Sequence, residues 1–295
     1  MQKREINKSE LVLTSDGRIY HLHLKPEELA DIIFLVGDPG RVKMMSALFD
    51  RIECQVSNRE FVTHTGTYRN KRISVVSTGI GTDNIDITLN ELDALWNIDF
   101  DSRKEKPEKT RLKLIRIGTS GALHEDISPG KVIVSSVSGG LDNLMYYYGG
   151  YEEIIDKKMG KAFLTHMNWL DANSQPYFIP ASSILLKMLV REEYFKGITL
   201  SAPGFYAPQG RSLRIPIGDE AYIPKISSFQ FEGKRINNFE MEGSALYGLS
   251  ALLGHDALTL CVALANRITG DFITDYQPYI QQLLEDSLQM IGGND

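Results

Sequence analysis

Two carboxylates stand two residues apart, directly ahead of leucines that recur at helical spacing up to Gly254. The motif is Glu240-Met241-Glu242. Side chains two residues apart share a face only where the backbone is extended, so we predict a strand that ends near Met241 and a helix that begins at Glu242. A carboxylate near the positive end of a helix dipole is expected to stay ionised and could bind sugar hydroxyls. Acidic residues also favour a first helical turn for stability alone, so the motif needs support from elsewhere.

Arginines accompany three predicted strands. The turn from Gly37 to Arg41 (GDPGR) follows the apolar run 31–36 and opens a helix, which brings backbone N–H groups and a guanidinium to one point. Arg116 lies within the apolar run 114–117, where a charge is costly to bury unless it is paired, and a glycine turn is predicted after it. Arg267 follows the strand 257–265. These positions predict an anion site, although no Walker A loop or dinucleotide fingerprint is present.

A loop rich in proline and glycine at 202–211 combines an aromatic ring, an amide and a guanidinium. Phe205 could stack on a planar ring, and Gln209 can both donate and accept hydrogen bonds to a cyclic imide. Arg211 could stabilise negative charge that develops on a carbonyl oxygen. The same composition also suits an exposed turn, and residue types alone do not decide between the two interpretations.

The overall composition excludes several classes of function. The 295 residues include 32 basic and 38 acidic side chains, for a formal net charge of −6, and show no basic stripe, so nucleic acid is not expected as a partner. The two cysteines lie outside any C-x-x-C pair, which disfavours a disulfide framework or a cysteine zinc site. Without a secretory signal or an apolar run of ~18 residues, we expect no membrane partner and a cytoplasmic protein.

Strands and helices alternate without a linker, which predicts a single α/β domain over residues 1–295. Beyond the segments above, we predict strands over 19–24, 71–77 and 130–137, and helices over 183–194 and 276–291. His21 and His23 would share one face of the first of these strands. The charged segment 99–112 and the tyrosine-rich segment 139–160 are interpreted as surface insertions, and the second is expected to be loop-like.

Five motifs in this order resemble the nucleoside phosphorylase family of the uridine phosphorylase type. They are GDPGR at 37–41, NREF at 58–61, RIGTSG at 116–121, FxxxQxR at 205–211 and EME at 240–242. The resemblance covers most of the chain and implies a mixed, partly closed central β-sheet flanked by helices. It also implies a homo-oligomer, either a dimer or a hexamer, with sites shared between subunits. The implied reaction is phosphorolysis, with inorganic phosphate as co-substrate and no cofactor.

The resemblance also implies a role for each matching position. The implied phosphate ligands, the last of them from a neighbouring subunit, are Gly37, Arg41, Arg116, Thr119 and Arg59. The implied ribose contacts are Met241, Glu242 and the neighbour's His21. The implied base contacts are Tyr20, Phe205, Gln209, Arg211 and Arg267. The residues implied to carry catalysis are Arg116, Glu242 and Arg211.

No metal is required for this chemistry, but relatives can hold a monovalent cation between subunits. The matching positions are Glu60, Ile80 and Asn84, where the third departs from the usual serine. Gly243 is a second departure, because many relatives carry serine there and therefore have one more hydroxyl near the sugar.

Purine-specific relatives carry an aspartate just ahead of the late arginine, whereas this chain has Leu264 and Ala265 there and Asp271 only after Arg267. With the amide and guanidinium of loop 202–211, this favours cleavage of uridine to uracil and ribose 1-phosphate in nucleoside salvage or catabolism. The alternatives are a purine nucleoside phosphorylase, a phosphate-independent nucleosidase on the same fold, and a non-catalytic nucleoside-binding protein.

Overall fold

The apolar runs of the sequence form the central strands of a sheet in the computed structural model, which describes residues 4–170 and 173–293. The strands of this part of the chain are β1 (Ile32–Val36), β2 (Arg51–Asn58), β3 (Phe61–Tyr68), β4 (Lys71–Ser77), β5 (Ile98–Asp99), β6 (Lys104–Glu105), β7 (Lys113–Ala122), β8 (Val132–Gly140), β9 (Tyr177–Pro180), β10 (Phe195–Ser201), β11 (Gln230–Phe231), β12 (Lys234–Glu240) and β13 (Asp256–Asn266). The α-helices are α1 (Pro39–Ser46), α2 (Thr82–Asn97), α3 (Tyr151–Ile154), α4 (Lys157–Met167), α5 (Ser183–Leu189), α6 (Tyr222–Ser228), α7 (Gly243–Leu253) and α8 (Gln277–Gly292). Short 3-10 turns span Pro26–Glu28, Leu144–Tyr147 and Ala207–Gln209.

The main sheet is mixed and partly closed. Its strands follow the order β11-β12-β10-β8-β13-β7-β1-β4-β3-β2, with β9 beside β8. β12 also pairs antiparallel with β7, at Asn238–Ala122 and Phe239–Gly121. This pairing closes β12, β10, β8, β13 and β7 into a ring, while β1 to β4 extend from it as an open sheet. The predicted single α/β domain with a mixed, partly closed sheet is confirmed.

Successive side chains of the central strands point to opposite faces of the sheet, so an apolar layer forms on each face. Within β1, Ile33 and Leu35 pack into a cluster with helices α2 and α7, whereas Phe34 and Val36 pack into a cluster with α1, α5 and α8. Burial on both faces explains why these strands are continuously apolar. β1, β4, β7 and β13 run parallel, so their carboxyl ends meet at one edge of the sheet, where α1 and α2 begin. No helix of the described residues has the length and apolar character that a membrane crossing needs.

The prediction of a strand over 19–24 is wrong. The segment is a turn, in which the Glu91 carboxylate of α2 accepts hydrogen bonds from the backbone N–H groups of His21 and Leu22. His23 has a φ of +57°, so the two histidines do not share a strand face. The prediction of a turn at 118–121 is also wrong, because β7 continues through it and pairs with β13 and β12.

The tyrosine-rich segment 139–160 is not a loop. It contains the end of β8, the 3-10 turn at Leu144–Tyr147, α3 and the start of α4. Tyr146 packs edge-on against Tyr151 and Tyr177, with ring centroids 5.0 and 6.0 Å apart. In the charged segment 99–112, which includes the β5–β6 hairpin, Arg103 donates hydrogen bonds to backbone oxygens of the N-terminal segment, including that of Ile6 at 2.8 Å. The predicted helix over 183–194 is shorter, because α5 ends at Leu189.

A tyrosine hydroxyl completes the sheet where β8 and β13 separate. Their antiparallel pairing ends at Leu260–Val134. Beyond this point the Tyr247 hydroxyl of α7 accepts from the Thr259 N–H at 2.9 Å and donates to the Ser135 carbonyl oxygen at 2.7 Å. Burial raises the pKa of Tyr247, which keeps the hydroxyl in its neutral donating form. The hydroxyl therefore replaces one backbone hydrogen bond between the strands.

Replacing Tyr247 with phenylalanine leaves a buried N–H and a buried carbonyl without a partner. We expect a loss of about 1–3 kcal/mol in the free energy of unfolding and a lower thermal midpoint in calorimetry at matched protein concentration. Tyr147→Phe is the matched control, because the Tyr147 side chain is exposed. Equal midpoints for the two variants would contradict the bridging role.

Candidate active site

A cavity of about 300 Å³ opens at the carboxyl edge of the sheet. Nine of the predicted site residues line it, namely Gly37, Arg41, Arg116, Thr119, Phe205, Gln209, Arg211, Met241 and Glu242. Ile80, predicted for a cation site, lines it too. Tyr20, His21, Arg59 and Arg267 are not among its lining residues. The motifs from distant parts of the chain thus converge on one cavity.

The turn after β1 presents a guanidinium to this cavity. The Asp38 carboxylate accepts a hydrogen bond from the Gly40 N–H at 2.8 Å and caps α1, and Pro39 occupies its first position. Arg41 is buried one residue further on, yet its guanidinium makes no hydrogen bond or ion pair with any residue of 4–170 and 173–293. A buried charge without a protein partner suits an anionic ligand.

Arg116 is the centre of a buried ion-pair triad. Its Nη2 donates to Glu242 Oε2, and its Nη1 lies 3.2 Å from Glu240 Oε2. Burial alone would lower the pKa of Arg116, but the negative charges of Glu242 and Glu240 outweigh it and raise the pKa. Nε of Arg116 is buried without a partner among the described residues. The sequence did not indicate that Arg116, predicted to bind phosphate, forms an ion pair with Glu242, predicted to bind ribose.

The two glutamates have different tasks. Glu240 accepts hydrogen bonds from the N–H groups of Glu242 and Gly243, at 3.0 and 2.8 Å, and from the hydroxyl of Ser201. Burial raises the pKa of Glu240, and the charge of Arg116 opposes this effect. Glu240, rather than Glu242, therefore occupies the positive end of α7, contrary to the prediction. Glu242 instead bonds Arg116 and, through Oε1, the Gly81 N–H at 2.8 Å.

Gly118 makes room for the arginine. A Cβ at this position would lie 2.2 Å from Arg116 Nη1 and 3.0 Å from the sulfur of Cys261, which faces Gly118 across the β7–β13 pairing. The side chain of Arg116 can therefore lie over residue 118 of its own strand only because that residue has no side chain. The Cys261 thiol lies 3.7 Å from Nη1, and burial raises its pKa to about 12, so it is a neutral neighbour.

The loop after β10 forms the opposite wall of the cavity. Arg211 stacks on Phe205 at 3.9 Å from the ring centroid and donates to Gln209 Oε1 at 2.6 Å. Burial and the charge of Arg267 lower the pKa of Arg211 to about 10. Arg267 donates to the carbonyl oxygens of Gln209 and Gly210 at 3.0 and 3.1 Å, so it supports the loop instead of lining the cavity.

Three predicted residues form a separate group. The Arg59 guanidinium lies 5.6 Å from the centroid of the Tyr20 ring, and Asn58 Nδ2 donates to the His21 carbonyl oxygen at 2.8 Å. Arg59 has a φ of +55°, and its side chain is exposed. These side chains are available to another copy of the chain.

The residues predicted for a monovalent cation lie near one another. A Cβ on Gly79 would meet Asn84 Nδ2 at 2.4 Å and Glu60 Cγ at 3.2 Å, and Ile80 is the next residue. The Glu60 carbonyl oxygen already accepts a hydrogen bond from the Ser77 hydroxyl. Within the described residues, no cluster of three or more histidine, cysteine or acidic side chains could hold a metal ion.

Sequence reasoning assigned no site role to Ser120 or Gly81. Ser120 lines the cavity, and its hydroxyl oxygen is buried without a partner among the described residues. Gly81 supplies the N–H that holds Glu242. Ser120 could have been found because it is the second hydroxyl residue of the RIGTSG motif. Gly81 could have been found from the glycine turn that follows β4.

Comparison with known proteins agrees with this geometry. The family profile of the phosphorylase superfamily matches residues 31–288. A uridine phosphorylase of Thermococcus kodakarensis is 31% identical over 264 residues, which are 88% of this chain and 81% of that protein. A DeoD-type purine nucleoside phosphorylase of Alkaliphilus metalliredigens is 32% identical over 256 residues, 85% of this chain and 88% of that protein.

Among solved structures, a Trypanosoma brucei nucleoside phosphorylase described as showing uridine phosphorylase activity is similar with a TM-score of 0.84 and 29% identity. The similarity covers 94% of this chain and 98% of that one. Nearly equal identity to the Thermococcus and Alkaliphilus enzymes means that overall similarity does not identify the base. A profile match over most of the chain, together with the shared fold, shows that the chain belongs to the phosphorylase superfamily and is a pentosyltransferase.

Proposed function

We propose that this enzyme is a uridine phosphorylase, which converts uridine and phosphate to uracil and ribose 1-phosphate in nucleoside salvage or catabolism. The observation that carries the proposal is the chemistry of the cavity wall formed by the loop after β10, where the base would bind. A half-buried guanidinium, Arg211, lies there beside the Gln209 amide, and no described carboxylate of the cavity is free near them.

The charge of the leaving base explains why this matters. Uracil leaves as an anion whose charge is spread over its carbonyl oxygens, so hydrogen-bond donors stabilise its departure. A purine leaves most easily after protonation of its ring, for which an acid is needed. Leu264 and Ala265 line the cavity where purine-specific relatives carry an aspartate. Asp271 is exposed and accepts a hydrogen bond from Thr269, outside the cavity lining.

The amide of Gln209 complements this donor set. A guanidinium only donates hydrogen bonds, so the Gln209 atom that faces Arg211 must be its oxygen. The amide NH₂ remains a donor for a base carbonyl, and the second lone pair of the oxygen remains an acceptor for an imide N–H. Phe205 is half-exposed, so the ring face opposite Arg211 is available for a base.

The positions of the charged side chains Glu242, Arg41 and Arg116 indicate where ribose and phosphate would bind. Glu242 is held from two sides and would lie beside the ribose, where its negative charge stabilises the oxocarbenium character of the transition state. Arg41, with Gly37 and Thr119, would bind the attacking phosphate. Because both terminal nitrogens of Arg116 contact glutamates, we assign Arg116 two tasks: fixing Glu242 and adding positive charge near the phosphate.

A complete site would need a second subunit. Arg59, His21 and Tyr20 lie together away from the cavity lining, and we propose that they enter the site of a neighbouring copy in a dimer or a hexamer. The candidate monovalent cation at Glu60, Ile80 and Asn84 would lie at the same contact. A cytoplasmic location is part of the proposal.

The second candidate is purine nucleoside phosphorolysis, which the similarity to the Alkaliphilus enzyme favours. A panel of uridine, thymidine and inosine, each with and without phosphate, separates the candidates. We expect uridine cleavage that depends on phosphate and yields ribose 1-phosphate. Ready cleavage of inosine with uridine untouched would reject the uridine assignment, and equal uridine cleavage without phosphate would indicate a nucleosidase.

Removing the free guanidinium should weaken phosphate binding. A hydrogen bond to a charged group contributes about 1.5–3 kcal/mol, so we expect Arg41→Ala to raise the KM for phosphate by about tenfold or more. Lys43→Ala is the control, because it removes an exposed positive charge from the same helix. The measurement is initial rate against phosphate concentration, and an unchanged phosphate KM in Arg41→Ala would refute the role.

Removing Arg211 should slow departure of the base. We expect Arg211→Met to lower kcat/KM for uridine by about 10²–10³, as for other donors to a developing anion. The loss should be smaller with 5-fluorouridine, because fluorine itself stabilises the uracil anion. Arg214→Met, at an exposed position three residues further along the chain, should leave both rates unchanged. An equal loss for the two substrates would mean that Arg211 only orients the base.

A further inference from the structure

Glu91 lies on the third turn of α2 and holds the turn that carries His21. Its carboxylate accepts hydrogen bonds from the His21 N–H at 3.0 Å, the Leu22 N–H at 2.8 Å and His21 Nδ1 at 2.7 Å. On the other side, Asn58 donates to the His21 carbonyl oxygen. Both the backbone and the ring of His21 are therefore fixed by side chains from two different elements.

The ring contact also determines which nitrogen of His21 carries its hydrogen. A carboxylate only accepts hydrogen bonds, so Nδ1 must be the donor to Glu91. Nε2 has no hydrogen-bond partner among the described residues. The rings of Tyr20 and Phe61 pack edge-on at 4.9 and 6.4 Å and restrict rotation of the imidazole. Nε2 is thus left as the nitrogen that can meet a ligand.

We propose that Glu91 is a positioning residue for catalysis, which orients His21 so that Nε2 meets the 5′-hydroxyl of a nucleoside bound in the neighbouring subunit. The inference rests on the proposed function, in which His21 completes the neighbour's ribose subsite. Glu91 touches neither substrate nor phosphate and acts only through His21. Neutral glutamine could still accept from the backbone N–H groups, but it would not require a hydrogen on Nδ1.

The same helix supplies a matched control. Asp93 on α2 also contacts a histidine, with Oδ1 3.1 Å from His255 Nε2. That histidine is buried directly before β13, outside the cavity lining. Asp93→Asn therefore disturbs a carboxylate–histidine contact on α2 without touching His21. If weakening any carboxylate–histidine contact on α2 lowered activity, Asp93→Asn and Glu91→Gln would show the same loss.

The test compares uridine with 5′-deoxyuridine, which lacks only the hydroxyl in question. We expect Glu91→Gln to lower kcat/KM for uridine about tenfold, the scale of one lost hydrogen bond, and to leave 5′-deoxyuridine unaffected. His21→Ala should show the same selective loss, and the double variant should lose no more than His21→Ala alone. Asp93→Asn should not change the ratio of the two substrates. Partial unfolding would lower both rates equally and would not change this ratio.

Two results would overturn the inference: an equal loss for both substrates in Glu91→Gln, or losses that multiply in the double variant. The wild-type enzyme tests the proposed function separately. If it cleaves inosine instead of uridine, the uridine assignment fails, and the same comparison with inosine and 5′-deoxyinosine still tests Glu91. A wild type that cleaves no nucleoside would overturn both.

Discussion

Arg116, Glu240 and Glu242 hold one positive and two negative charges out of water, and the site is built around this contact. Buried ions are costly unless each has partners of good geometry. Here the excess negative charge is met by the N–H groups at the start of α7, by the Gly81 N–H and by the Ser201 hydroxyl. The triad also explains a local feature of the sequence, since Gly118 leaves the space that the guanidinium fills.

The same contact connects the fold to the site. Arg116 lies on β7 and Glu240 ends β12, and these two strands make the antiparallel pairing that closes the ring of the sheet. The pairing of Phe239 with Gly121 directly precedes Glu240. Closure of the sheet and assembly of the ion pairs are therefore one structural event. A chain that failed to pair β12 with β7 would leave Arg116 buried without its carboxylates.

Much of this arrangement was predictable from sequence, because strong periodicity specifies local structure. The strands at 31–36, 71–77 and 257–265, and the glycine turn between β1 and α1, are close to their predicted bounds. The errors occur where long-range contacts override local pattern. Segment 19–24 alternates like a strand but is bent by Glu91, which lies about seventy positions later in the chain. Glycines 118 and 121 suggest a turn, but pairing with β13 and β12 keeps them in β7.

Nine of the predicted site residues line one cavity, but the contacts between them could not be predicted. The family resemblance implied that Arg116 and Glu242 share one site, whereas only three-dimensional packing reveals that they contact each other. The helix dipole argument correctly found a carboxylate at the start of α7 but assigned it to Glu242 instead of Glu240. Two residues of one strand-to-helix junction cannot be distinguished in this way, because a single bend of the backbone decides which of them reaches the free N–H groups.

α2 connects two parts of the molecule that, in the proposed oligomer, would belong to different active sites. Directly before its first turn the Gly81 N–H holds Glu242 in the cavity, and ten residues later Glu91 holds the turn with His21. At a rise of about 1.5 Å per residue, these anchor points lie roughly 15 Å apart along one rigid rod. In an oligomer with exchanged histidines, a ligand that shifted Glu242 would tilt the rod and move the histidine of the next site. Communication between neighbouring sites would then need no contact beyond a single helix.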